Sequence, residues 1–189
     1  MKKLKTLFAI SLSLALTVFL STAGFSANAF LVQAQTGNED LSGKTVIFHT
    51  NDVHGHIYQT GSDADGDFQG GYAQLAGLKD EALSNNASKV LTMDSGDFLQ
   101  GSIYAAESEG SEIVDLMNEV GYDYVTLGNH EFDYGKDKTD QDLSKFTNTN
   151  LVTSNIVVGT DTGPCYTKAY CTTPDVNQPK IGIIGIETP

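Results

Sequence analysis

A chain of 189 residues with 24 acidic side chains, 11 lysines and no arginine carries a formal net charge of −13. That length suits one ordinary domain, and such acidity excludes charge-driven binding of nucleic acid polymers, which needs basic surface to displace condensed counterions. Without arginine there is no planar guanidinium clamp, so positive charge for any anionic ligand must come largely from bound cations.

Residues 1–29 read as a secretory signal peptide. Lys2, Lys3 and Lys5 form a basic head, Leu7 to Leu20 an apolar middle, and Ala27-Asn28-Ala29 a small-residue cleavage site, with Val32-Gln33-Ala34 as a second option. The apolar middle falls short of the ~20 residues a spanning helix needs, so a periplasmic or secreted protein without a stable membrane anchor is expected, an uncleaved anchor being the alternative. Residues 30–43 are a flexible lead-in, polar from Gln35 to Gly43.

The first strand is expected over Lys44 to Thr50. His49, within it, reads as a hydrogen-bonded structural residue. Tyr58 to Gly71 is a Gly- and Asp-rich loop whose Asp63-Ala64-Asp65-Gly66-Asp67 lacks the glutamate that closes a calcium loop. Gly71 to Asn85 predicts a helix with Ala73, Leu75, Ala76, Leu78 and Leu83 as its apolar stripe. Lys89 to Met93 predicts the second strand, and Phe98 to Ala106 a glycine-containing connector. Ser111 to Val120 is amphipathic, with Ile113, Leu116, Met117 and Val120 at i, i+3, i+4 and i+7, and Gly121 ends it.

Tyr124 to Leu127 predicts the third strand. A short helix anchored by Leu143 and Phe146 follows, then a fourth strand at Leu151 to Val158 and a fifth at Lys180 to Ile186. The nearly continuous run Ile181, Ile183, Ile184, Ile186 suits a strand covered on both faces. Between these two lies the polar loop Asp161 to Asn177, where Cys165 and Cys171 read as a disulfide in an exported protein.

Each of the first three strands runs into chemistry: Asp52 and His54 after the first, Asp94 and Asp97 after the second, and Gly128-Asn129-His130-Glu131-Phe132-Asp133 after the third. In an open α/β sheet the carboxyl ends of parallel strands share one edge, so these groups should converge. The spacing of Asp52 and His54 would put both on one side of an extended segment.

The ordered motifs Thr50-Asn51-Asp52-Val53-His54-Gly55, Asp94-Ser95-Gly96-Asp97 and Leu127-Gly128-Asn129-His130-Glu131-Phe132-Asp133 resemble those of the bacterial 5′-nucleotidase family, within the calcineurin-like metallophosphoesterases. The resemblance runs from about Lys44 to the last residue. It implies an α/β metallophosphoesterase sandwich, here its N-terminal part over residues 44–189, without the C-terminal nucleotide-binding domain. It implies a site with two divalent metal ions, zinc, manganese or similar. Asp52 and His54 would hold one ion and Asn129 the other, with Asp97 bridging. Asp94 would support its loop. His130 would act on the phosphate as the catalytic group, with Asp133 holding its ring. Asn51 would support the first metal loop, and Gly55 and Gly128 would let the backbone approach closely. His56 has no assigned task and reads as a solvated neighbour.

The expected activity is hydrolysis of phosphate esters of extracytoplasmic nucleotides, including nucleotide sugars or cyclic nucleotides. No histidine follows His130, whereas the resembling family supplies further histidine ligands later in its chain. The expected alternative is therefore a non-catalytic remnant that binds metal weakly; a sulfur-containing ester on the same metal scaffold is a third reading. Oligomeric state stays open.

Overall fold

The computed structural model describes residues 17–19, 29–31, 39–58, 71–156, 170–174 and 180–187. The signal-peptide reading falls mostly outside them, as do the loop after Tyr58 and Cys165. Cys171 is described and carries a free, buried thiol. Among the described residues, no helix is long and apolar enough to cross a membrane.

In chain order the elements are β1 (Thr17–Phe19), β2 (Ala29–Leu31), β3 (Thr45–Thr50), α1 (Tyr72–Ser84), β4 (Lys89–Asp94), α2 (Ile103–Ser108) and α3 (Ser111–Val120). Then come β5 (Tyr124–Val125), a 3-10 turn (Asn129–Phe132), α4 (Lys136–Leu143), β6 (Asn150–Leu151), β7 (Cys171–Thr172) and β8 (Gly182–Ile183). β1 and β2 form a separate antiparallel pair. The central sheet has the order β3-β4-β5-β6, all parallel, with β3 and β4 in register from Thr45 opposite Lys89 to Thr50 opposite Asp94. Parallel neighbours need crossover connections, which α1, α3 and α4 supply.

Period-two alternation sorts the strand side chains to two faces. On one face Val46, Phe48 and Val90 pack with Ala82, Leu75 and Leu78 of α1. The larger cluster continues through Ile113, Val114, Met117 and Val120 of α3 to Phe98, Leu99, Tyr122 and Leu127. A side chain buried as fully as Met117 or Ile113 stabilises the fold by about 1.5–3 kcal/mol. On the opposite face Leu91, Tyr124 and Val152 pack against Cys171, Ile181 and Ile183, so the antiparallel β7–β8 pair covers the sheet from the other side.

Four of the sequence expectations need correction. The connector after Phe98 contains a helix, α2, capped by Ser102, whose hydroxyl accepts from the Ala105 N–H. The loop holding Cys171 contains β7. The fifth strand is not a doubly covered member of the parallel sheet: Ile181 and Ile183 turn inward, while Ile184 and Ile186 are 66% and 72% exposed. The alternation of the strand, not a second cover, sorts these isoleucines to two sides. In α1, Leu83 is exposed, and Tyr72 and Ala82 are the buried positions.

Candidate metal centre

The ends of β3, β4 and β5 meet as the parallel order requires. Asp52, His54 and Asp97 each place a ligand atom within 4.8 Å of those of the other two. The donor set, two carboxylates and an imidazole, suits zinc, manganese or iron better than calcium. His54 is oriented for such a role. Its Nδ1–H donates to the Gln100 carbonyl at 3.0 Å, which leaves the Nε2 lone pair, 4.0 Å from Asp52 Oδ1, as the ligand atom.

Asp52 and His54 do not converge through an extended segment, contrary to the sequence expectation. Asp52, His54 and Asp97 have φ of 51°, 48° and 61°, in the left-handed region that non-glycine residues avoid. The conformation is held by cross-loop bonds: Asp52 N–H to the Gly96 carbonyl at 3.1 Å and His54 N–H to the Asp97 carbonyl at 2.8 Å. Strain of this kind, of order 1–3 kcal/mol per residue, persists only where surroundings over-determine it, and it gathers at functional sites. Asn51 donates from its side chain to Asp52 Oδ2 at 2.8 Å.

The third loop is tied to the second. His130 N–H donates to Asp97 Oδ1 at 2.9 Å, and a Cβ on Gly128 would lie 2.3 Å from that same oxygen. Gly128 therefore cannot carry a side chain without displacing Asp97. Gly55 is tight for another reason: a Cβ there would meet Ala105 and Ser102 of the α2 start. Asn129 begins the 3-10 turn and is exposed, one residue before the bond that fixes the loop. The His130 ring stands edge-on to that of His54, with centroids 5.1 Å apart. Its Nδ1 bonds Asp133 Oδ2 at 2.7 Å, and this bond holds the imidazole above its ordinary pKa. Replacing Asp133 with asparagine should lower the His130 pKa toward the ordinary histidine value, read by NMR titration of the ring; an unmoved pKa would remove Asp133 from that role.

Sequence reasoning gave Glu131 no task, yet it organises the site. It is fully buried, and its Oε1 accepts the N–H groups of Phe98 and Leu99 at 2.7 and 3.1 Å. Its Oε2 accepts those of Asp97 and Gly128 at 2.7 and 2.5 Å. One carboxylate thus sets the backbone on both sides of Asp97. Thr139 of α4 holds the Glu131 carbonyl in turn at 2.6 Å. Reaching back to the N–H three residues earlier is the habit of a capping-box glutamate, and that was the available signal.

Asp94 supports its loop as expected. It accepts the Gly96 N–H at 2.8 Å and the Thr50 hydroxyl, which also meets the Tyr122 hydroxyl at 2.9 Å. Burial pushes its carboxyl up to about 7. His56 is exposed, and His49 bonds Ser95 at 2.8 Å, outside the cluster. A pocket lined by Tyr124, Asn150, Tyr170, Cys171, Thr172 and Pro174 contains none of these groups and no charged side chain.

A family model for calcineurin-like phosphoesterases matches residues 45–173. The chain is 38% identical over 151 residues to a snake venom 5′-nucleotidase of Gloydius brevicauda, covering 75% of this chain and 25% of that one. It is 33% identical over 176 residues to a 5′-nucleotidase of Diplobatis ommata, covering 89% and 30%. The solved 5′-nucleotidase precursor of Thermus thermophilus superposes with a TM-score of 0.66 at 29% identity, over 76% of this chain and 28% of that one. The chain thus spans between a quarter and a third of the length of these relatives. Parallel sheet, strand-end donors and family match coincide on the same residues, and the chain belongs to the calcineurin-like phosphoesterase family, a family of hydrolases with 5′-nucleotidases among the homologues of this chain.

Proposed function

We propose that this chain carries the N-terminal share of a metal-dependent phosphoesterase site acting on nucleotides or their derivatives outside the cytoplasm. The convergence of Asp52, His54 and Asp97 supports it most directly. In this reading Asp52 and His54 would hold one divalent ion, Asn129 would contribute to a second, and Asp97 would be shared between them. Divalent ions at such a site would supply an activated water and neutralise phosphoryl charge, and for the second task the chain has no arginine. The extracytoplasmic placement rests on the leader-like residues 1–29, and the nucleotide substrate on the family relatives.

His130 is the proton-handling group. With Nδ1 committed to Asp133, its Nε2 is the atom left to meet a phosphoryl or leaving oxygen. The raised pKa keeps a larger share of the ring protonated near neutrality, so Nε2–H can give its proton to the departing alcohol. Asp133 holds the ring through Nδ1–H and favours the imidazolium that makes this possible.

The test is phosphate release from AMP by the purified chain, with and without manganese or zinc. Expected is metal-dependent turnover that His130→Ala lowers about a hundredfold or more. Metal binding without turnover would instead establish the second reading, a non-catalytic remnant, which the small share of its relatives' length that the chain spans makes worth distinguishing.

A further inference from the structure

One acidic side chain near the centre has no assignment. Glu187 follows β8, and its backbone is clamped to the segment after β6. Its N–H donates to Asn155 Oδ1 at 2.8 Å, the Asn155 amide donates to its carbonyl, and the Ser154 N–H bonds the Gly185 carbonyl at 2.7 Å. Gly185 lies against the Val152 carbonyl and the Thr126 hydroxyl so closely that no Cβ fits there. These contacts carry Glu187 to the edge where β5 and β6 end, the edge that holds the metal-binding candidates.

Both carboxylate oxygens of Glu187 are buried, and neither has a hydrogen-bond partner. A carboxylate out of water and without a donor is costly, and native structures avoid the arrangement unless a cation or ligand completes it. Among the described residues no lysine pairs with it. Instead, burial first and then the negative charges of Asp97 and Glu131 raise its pKa, so the electrostatic neighbours of Glu187 are the acids of the centre itself. Glu131 differs in kind, because four N–H groups satisfy it.

We infer that Glu187 is a further acidic group beside the cation site, which tightens divalent-ion binding at Asp52, His54 and Asp97 through a hydrating water. It is a positioning residue for the ions, and the inference rests on the metal-centre reading above. On the folding side the carboxylate is a liability, and on the ion-binding side an asset. The two should therefore respond to its removal with opposite signs.

The experiment is competition for manganese between the full chain and a chromophoric chelator, beside the thermal midpoint of the metal-free chain, for wild type, Glu187→Gln and Glu81→Gln. Glu81 is an exposed acid of α1, so its variant controls for loss of one negative charge. Expected for Glu187→Gln is about 10- to 100-fold weaker manganese binding with an unchanged or higher metal-free midpoint, while Glu81→Gln binds as wild type does. Wild-type affinity in Glu187→Gln would overturn the inference and leave the centre standing. A lowered metal-free midpoint would overturn it too, marking a structural role. A wild-type chain that binds no manganese or zinc would sink the metal-centre reading and this inference together.

Discussion

Replacing Glu131 with glutamine should cost at least about 3 kcal/mol of folding stability, read as a fall in the urea midpoint of the metal-free chain. Four backbone N–H groups converge on the two oxygens of Glu131, and those of Phe98 and Leu99 belong to residues almost wholly out of water. Glutamine keeps one oxygen and puts an NH2 where the other was, so donor faces donor and two N–H groups lose their acceptor. Each buried donor left unsatisfied costs about 1–3 kcal/mol, and the charge-assisted bonds lost were stronger than neutral ones. Alanine should be worse, leaving all four unsatisfied and a cavity besides. Against a total stability of about 5–15 kcal/mol such a change threatens the fold itself. The damage should also be local: Asp97 sits at a φ of 61° because its own N–H and its neighbours' are fixed, so metal affinity should fall with stability. A loss below about 1 kcal/mol would mean that water satisfies those groups and that Glu131 is not the organiser.

The same residue shows where sequence reading stops. The strands and helices that carry the centre were legible because they are periodic: Ser111–Val120 matches its predicted bounds, and β3, β4 and α1 lie within a residue of theirs. The convergence of Asp52, His54 and Asp97 followed from parallel strand order. How they converge did not, because left-handed backbone at two aspartates and a histidine has no sequence signature; it is imposed by bonds such as that from His54 N–H to the Asp97 carbonyl, between residues 43 apart. Glu131 and Glu187 were missed for a related reason. A glutamate in sequence reads as a solvated charge, and only burial distinguishes one that accepts four N–H groups from one that accepts none. The isoleucines around β8 misled in the opposite sense: apolar content says how much surface wants covering, whereas period-two alternation turns Ile181 and Ile183 inward and Ile184 and Ile186 outward.

Between about pH 4 and pH 7 the metal-free chain should lose on the order of 4 kcal/mol of stability through Asp94 alone. Burial of this carboxyl dominates over the bonds from Thr50 and Gly96 that favour its charge, and Glu131 and Asp52 add their repulsion, so the pKa is pushed up to about 7. With its pKa raised, the folded chain holds the proton more tightly than the unfolded chain does. The contribution is therefore full below the unfolded value and gone once pH has passed the folded one. Asp123, Glu131, Asp142 and Glu187 are raised in the same direction by burial, so a stability curve by itself does not isolate Asp94. The comparison with Asp94→Asn does. The amide keeps an oxygen for the Gly96 N–H, and its NH2 can donate to the Thr50 hydroxyl, which then donates to Tyr122. The variant loses only the titrating proton. Urea midpoints measured in chelator from pH 4 to pH 8 should fall much less steeply for Asp94→Asn than for wild type, with the two chains nearest in stability at the acid end. Parallel curves would mean that Asp94 is ionised throughout, and that the hydroxyl and amide around it outweigh its burial.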